Sequence, residues 1–307
     1  MRLAPSGEQF EISRGEQRAV LVEVGGGIRG YACGDRDVLE PYAEQDMCDG
    51  AHGTPLIPWP NRLADGAYTF DGTLYQLPIT EVDKHNAIHG LLRWAPWRCL
   101  QRAADRVRLG ARIHPMPGYP FPLDVSVDYR LDADGLTVTT TATNLGDRAC
   151  PYACGQHPYL SPGAGLVDEA TLHLNAASWI DTDNPRQLPT GVAPVAGSDW
   201  DFRTAQRIGD RTLDYPFTDL ARDAHGRAVA RLTGTDERTV ELWVDDSYSI
   251  LEIFTGDTLA PHRARRGLGC EPMTAPPNAL ATGEGVITLQ PGETTTQVWG
   301  VRLVGAG

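Results

Sequence analysis

Four short stretches of the chain set ionisable or amide side chains beside glycine or proline: Pro58-Trp59-Pro60-Asn61-Arg62, Asn86-Ala87-Ile88-His89-Gly90, Gly155-Gln156-His157-Pro158-Tyr159, and Gly269-Cys270-Glu271-Pro272 running on to Asn278. Proline cannot continue a ladder and glycine permits unusual backbone angles, so such stretches hold side chains on loops or sheet edges where a cleft can collect them. His157 and Glu271 are the pair with chemical potential. A histidine and a glutamate facing each other across a ligand form an acid/base couple, because burial and neighbours move both pKa values toward the operating pH. Each has a plainer reading beside this one, His157 as a packed ring tied to a carbonyl and Glu271 as a surface carboxylate. Cys150, Cys154 and His157 form a C-x3-C-x2-H string of zinc-preferred ligand types. No second cluster supplies the missing ligands, and strand pleating puts His157 on the face opposite both cysteines, so buried thiols without metal are expected. His85 and His89 would share a helix face, but Gly90 follows and the surroundings read as loop, which leaves His89 free to meet a ligand hydroxyl. No phosphate-binding G-x-x-x-x-G-K-[ST], strand-linked G-x-G-x-x-G or G-x-S-x-G is present, so nucleotide binding and serine-hydrolase chemistry have no support.

The elements that must position these residues show period-two apolar patterning: Val20-Val22-Val24, Val107-Leu109-Ala111-Ile113, Leu123-Val125-Val127-Tyr129-Leu131, Leu136-Val138-Thr140-Ala142, Val240-Leu242-Val244, and Trp299-Val301-Leu303. That is the period of half-buried strands. Turn clusters at 25–27, 132–135, 144–147 and 234–236 separate them. Clean helical stripes are almost absent, although 37–45 and 212–222 are expected to supply short helical turns. No fixed-period self-similarity marks a propeller. The expectation is an all-β chain, residues 1–307 forming one domain of large twisted antiparallel sheets with only short helices.

With 307 residues, 41% of them apolar and 22% charged, the composition is that of a folded protein with a substantial core. Forty Asp and Glu against 27 Lys and Arg give a net charge of −13, which repels nucleic-acid backbones and anionic lipid surfaces. Six cysteines are too sparse for a disulfide scaffold and the first residues lack an apolar secretion stretch, so a cytoplasmic protein with free thiols is expected. Every apolar run is interrupted before the ~18 residues a spanning helix needs.

At the four clusters the chain resembles the aldose 1-epimerase (galactose mutarotase) family. The resemblance rests on eight ordered segments: PWPNRLADGAYTFDGTLYQL at 58–77, NAIHG at 86–90, HPMPGYP at 114–120, GQHPYL at 155–160, LPTG at 188–191, DFR at 201–203, LDYPF at 213–217 and CEPMTAPPNAL at 270–280. It implies a galactose-mutarotase-like β-supersandwich with no metal and no organic cofactor. It also implies that His157 is the general acid and Glu271 the general base, with Arg62, His89, Asp214 and Asn61 contacting sugar hydroxyls. The activity implied is interconversion of the α and β anomers of free hexoses such as glucose or galactose. Trp59, Trp94 or Trp97 is a candidate apolar platform for the sugar, each with a place in the core as its equal alternative. The small-molecule aldose is the expected partner, with neither nucleic acid nor membrane, and the chain acting as a monomer or weak homodimer. Leu91, Ser161 with Pro162, and Met273 depart from the family pattern, and loss of polar groups there would change which hydroxyls are read. Two alternatives stay open: a hexose-6-phosphate mutarotase drawing its basic pocket from Arg93, Arg98, Arg263, Arg265 and Arg266, and a sugar-binding module without turnover.

Overall fold

In the computed structural model, which describes residues 4–305, nearly all regular structure is strand. The segments Leu123–Asp132 and Gly135–Asn144 pair along their whole length, closing on Asp132 opposite Gly135. Only Ala133 and Asp134 remain for the turn, and Gly135 at φ +118° takes an angle that a side chain would resist. Hairpins of this kind build a nine-stranded sheet in the order Arg98–Arg102, Arg106–Ile113, Leu123–Asp132, Gly135–Asn144, Thr294–Val304, Thr239–Val244, Ala228–Thr233, Thr171–Leu174, Gln206–Arg207.

A twelve-stranded sheet carries the rest. Its main path runs Gln9–Arg14, Gln17–Val22, Ile28–Cys33, Arg36–Leu39, Tyr159–Leu160, Leu268–Met273, Ile250–Phe254, Asp214–Leu220, Ala176–Asp181, Gly191–Pro194, and Gly155–Gln156 joins it between Leu268–Met273 and Pro55–Leu56. Residues of both sheets share one contiguous apolar cluster. The row Tyr129, Val138, Trp299 and Val244 crosses the nine-stranded sheet in register and is wholly buried. From the other sheet, Gln156 reaches into this core: its Nε2 donates to the Tyr129 hydroxyl at 3.1 Å, and its Oε1 accepts from Trp299 Nε1 at 3.3 Å. A buried amide satisfied from both sheets fixes their relative placement.

The expected helical turns at 37–45 and 212–222 are not formed. Arg36–Leu39 and Asp214–Leu220 are strands instead. Tyr215, Phe217 and Thr218 suit a pleated surface, and Asp214–Leu220 is paired on both edges, by Ile250–Phe254 and Ala176–Asp181. Tertiary pairing therefore overrides the weak local pattern. The α-helix present among the described residues is the four-residue Ala279–Thr282.

Candidate active site

Alternation along the central strands of the twelve-stranded sheet decides which residues meet. Leu251, Ile253, Leu268 and Cys270 join the core cluster. The intervening residues point the other way: Glu252 lies directly opposite Glu271, and Phe254 lies opposite both Asp214 and Gly269. Gln156 faces the core, so its neighbour His157 is turned to this outer face. Above it lies a cavity of about 310 Å3 whose lining includes Asn61, Arg62, His89, His157, Asp214 and Glu271. All six residues singled out in the sequence are thus gathered in one place, from segments as distant as 61 and 271.

A small ribbon delivers three of them. Arg62–Ala64 pairs with Asn86–Ile88, and the chain turns sharply at each end, with Asn61 at φ +53° and His89 at φ +62°. His89 N donates to Asn61 O at 3.0 Å and locks the two bends together. A positive φ at a histidine is uncommon and is held here by its surroundings. Gly90 after it has no alternative, since a Cβ there would fall 2.0 Å from the Ile57 carbonyl oxygen.

His157 and Glu271 are in direct contact, Nε2 to Oε1 at 3.0 Å, both almost fully buried. The imidazole is stacked on Tyr159 at 4.9 Å between centroids and meets His89 edge-on at 5.4 Å. Tyr159 is stacked in turn on His52, whose Nδ1 lies 2.7 Å from Arg263. Burial, then the Arg93 and His52 charges, push the His157 imidazole well below its usual range. Burial and then the Asp214 carboxylate push Glu271 well above the carboxylate range, against the pull of Arg62. The arrangement therefore favours a neutral imidazole beside a protonated carboxyl, whereas the sequence reading has an imidazolium and a carboxylate. The two forms hold the same single proton and differ only in its position along the 3.0 Å contact. Glu271 Oε2, His157 Nδ1 and His89 Nδ1 are buried without a hydrogen-bond partner, which leaves polar atoms of the site free for a ligand.

The remaining polar groups are pre-set by one another. Arg62 grips Glu81 through Nε and Nη2 at 3.0 and 3.1 Å, Lys84 reaches the same carboxylate at 3.2 Å, and Gln187 links Lys84 to Asp214. Asn61 donates to Glu252 at 3.3 Å and accepts from Arg62 N at 2.7 Å, so its amide positions the floor and the bend. Glu252 was not singled out in the sequence. It is fully buried, and burial, then Asp214 and Glu271, push its carboxyl well above the usual range. Its signal was a single acidic residue inside the apolar run Ile250-Leu251-Glu252-Ile253-Phe254. Tyr159 and Phe254, rather than a tryptophan, are the aromatic lining. Trp59 and Trp97 belong to the core, and Trp94 is half exposed outside the lining.

Leu91, Ser161 and Met273 are absent from the cavity wall. Leu91 packs on the core, Ser161 accepts from the buried Arg36 at 3.0 Å, and Met273 forms a small apolar cluster with Ile180 and Ile250. The expected change in hydroxyl reading from these positions has no direct contact to act through. Of the five arginines considered for a phosphate, Arg93 alone lines the cavity. Arg263 is paired with Asp49 at 2.9 Å, Arg265 with Asp168 and Asp257 at 2.7 and 2.6 Å, Arg266 bonds the His262 carbonyl, and Arg98 lies exposed on the edge of the nine-stranded sheet.

A buried imidazole–carboxyl pair lining a polar cavity, carried on a supersandwich of antiparallel sheets, is the combination to be compared with known proteins. The profile of the aldose 1-epimerase family matches residues 8–301, and the chain belongs to that family. It is 34% identical over 292 residues to the uncharacterized protein YihR of Escherichia coli (strain K12), covering 94% of this chain and 91% of that one. It is 26% identical over 237 residues to the aldose 1-epimerase of the same organism, covering 72% of this chain and 66% of the other. Among solved structures, the GalM/aldose epimerase homologue from C. elegans superposes with a TM-score of 0.85 at 19% identity, over 98% of this chain and 99% of that chain, and shares the fold.

Proposed function

We propose that the protein is an aldose mutarotase, interconverting α and β anomers by ring opening and closure. The observation that carries this reading is the direct contact between His157 and Glu271 on the cavity wall. The two oxygens that exchange protons in the reaction, the anomeric hydroxyl and the ring oxygen O5, are bonded to the same carbon. An acid and a base that are neighbours can therefore serve both oxygens without standing on opposite flanks of the sugar.

With the proton on His157, the Glu271 carboxylate takes the anomeric hydroxyl proton. The C1–O5 bond breaks as the carbonyl forms, and the imidazolium gives its proton to O5, so no free oxyanion is released. Rotation about C1–C2 presents the other carbonyl face, and closure runs the transfers in reverse. The products leave the pair with one proton, as it began. Arg62, His89 and Asp214 hold the other hydroxyls, and the Arg62–Glu81–Lys84–Gln187–Asp214 chain of contacts fixes their geometry. A cavity of about 310 Å3 is of the size that encloses a small ligand.

Polarimetry on pure α-glucose and α-galactose tests this. His157→Asn and Glu271→Gln are each expected to slow equilibration by roughly 10²–10⁴-fold with the folded state retained. Variants as fast as the parent would remove the assigned roles. Saturable sugar binding by the parent with no acceleration over buffer would make the protein a binding module instead.

A further inference from the structure

The His157 imidazole lacks the support that ordinarily fixes a proton-transferring histidine. In such a ring the second nitrogen is bonded to a carbonyl or carboxylate, which sets both the tautomer and the ring angle. His157 Nδ1 has no hydrogen-bond partner among the described residues. Its main chain is secured, since Gly53 N donates to His157 O at 2.8 Å and His157 N donates to Thr54 O at 3.1 Å. Those bonds leave the side-chain torsions free. What meets the ring is packing: Tyr159 lies against its face at 4.9 Å and 16°, while His89 and Phe254 meet it edge-on.

Tyr159 is itself held by a ring that does not reach the cavity. His52 lies almost parallel to it, 4.4 Å and 5° away, and is 2% exposed and absent from the cavity wall. Both of its nitrogens are engaged: Nδ1 lies 2.7 Å from Arg263 Nη2, and Nε2 contacts the Glu40 carbonyl. A guanidinium only donates and a carbonyl only accepts, so Nδ1 is bare, Nε2 carries the hydrogen, and the ring is neutral in a single tautomer. Burial, then the Arg263 charge, push its pKa down to about 3. Two in-plane bonds at separate ring atoms keep the ring from turning, and Tyr42 closes on it edge-on at 5.4 Å. Arg263 is anchored in turn by Asp49 at 2.9 Å, and the Tyr159 hydroxyl by Gly50 O at 2.9 Å. Gly53, at φ +69°, lets this stretch pass close to its neighbours, since a Cβ there would fall 2.0 Å from the Ile28 carbonyl oxygen. Residues 49–54 thus hold both the stacked rings and the His157 main chain.

Resting on the mutarotase reading, we infer that His52 is a positioning residue for anomer exchange: without touching the sugar, it holds the face of the His157 imidazole through Tyr159, so that Nε2 stays aimed along the Glu271 contact. A misplacement of about 1 Å at a reacting group costs on the order of a hundredfold in rate. Loss of the His52 ring should therefore appear in the catalytic step and not in affinity.

Two substitutions separate the ring from its hydrogen bonds. His52→Gln supplies an amide able to donate and accept but removes the ring, whereas His52→Phe keeps a ring and removes both polar contacts. With α-glucose followed by polarimetry, His52→Gln is expected to lower kcat by on the order of ten- to a hundredfold with KM changed by less than about twofold, and His52→Phe to stay within about threefold of the parent. A merely structural role gives the other split, lower melting temperatures with kcat per folded molecule kept in both variants. Equal kcat losses in the two, no loss in His52→Gln, or a loss confined to KM would overturn the inference. If His52→Gln does not fold, Arg263→Met takes its place, because it frees His52 Nδ1 and leaves every ring present. Its kcat should fall by roughly threefold or more at constant KM, and an unchanged kcat would overturn the inference equally. If the parent accelerates no aldose, the mutarotase reading fails instead, and a histidine-selective NMR spectrum still decides the role of His52. The His157 ring signals, identified by their absence in His157→Asn, should shift or broaden in His52→Gln and hold their positions in His52→Phe. Signals unmoved in both would overturn the inference.

Discussion

The two sheets are built from the same kind of hairpin but treat their outer faces differently. In the nine-stranded sheet, two strands show alternating burial: every second residue of Leu136–Asn144 is buried and the ones between are half-buried, and Ala228–Thr233 follows the same rule. One face meets the core and the other meets water. Thr239–Val244 is buried from Val240 onward, and its one acid, Glu241, is paired with both Arg231 and Arg302. In the twelve-stranded sheet, Ile250–Phe254 and Leu268–Met273 are buried at every position. Strands covered on both faces ordinarily carry only apolar side chains. These two place Glu252 and Glu271 opposite each other, where ionised like charges would oppose pairing. The acid of the covered strand in the nine-stranded sheet is met by two arginines, whereas Glu252 and Glu271 face each other with no arginine among the described residues in ion-pair contact with either, an arrangement that costs stability when both are ionised.

The contrast is sharpest under substitution. Leu242 is fully buried between Ala230 and Val301 in the nine-stranded sheet, on the side away from the cavity. Leu242→Ala is expected to lower unfolding free energy by about 2–5 kcal/mol, read by urea denaturation, while the pH profile of the remaining activity keeps its shape. A stability loss below about 1 kcal/mol there would break the distinction between the sheets.

A smaller, pH-dependent effect is expected in the other sheet. The Glu252 carboxyl is raised in the fold above its unfolded value of 4.5, so above that pH the native state holds a proton that the unfolded chain releases. Stability is therefore lost as pH rises from the unfolded value toward the raised one. Glu252→Gln keeps the shape and the amide contact to Asn61 while deleting this loss. The melting temperature of the variant relative to the parent should climb as the pH is raised above the unfolded value of 4.5. A difference independent of pH would mean that Glu252 is ionised in the fold, paired with the Asn61 amide alone.

What could be read from the sequence follows the same division. The strands from 123 to 142 announced themselves because a one-face-buried strand writes its period into the residue types. The site residues of the four Gly- and Pro-flanked clusters were legible as types suited to proton transfer, but nothing local brings 157 to 271. That contact arises from register, Tyr159 opposite Gly269 and Gly155 opposite Met273. Asp214–Leu220 was misread as helical because its strand character comes from two neighbours remote in sequence. Glu252 was visible as an anomaly in an apolar run, but its meaning depends on which acid lies across from it. Trp59 and Trp97 take the plainer of their two readings because their large apolar area drives them into the core, and Trp94 is half exposed, leaving Tyr159 and Phe254 to face the cavity.

The smallest effect lies on the water-facing side of the nine-stranded sheet. Arg112 and Asp124 are cross-strand partners with a 2.9 Å contact, and both side chains are nearly half exposed. In water this attraction is weak, and ordering two long side chains offsets much of it. Asp124→Asn is therefore expected to change unfolding free energy by less than about 1 kcal/mol, with the difference shrinking further as salt is added. Asp124 and Glu271 both carry carboxyl groups in an antiparallel sheet within 3.0 Å of a side-chain nitrogen. The feature that separates them is the second covered face, which removes water from Glu271 and leaves it available to Asp124. A large, salt-independent loss in Asp124→Asn would show that solvent exposure is not what divides structural from chemical carboxylates in this fold.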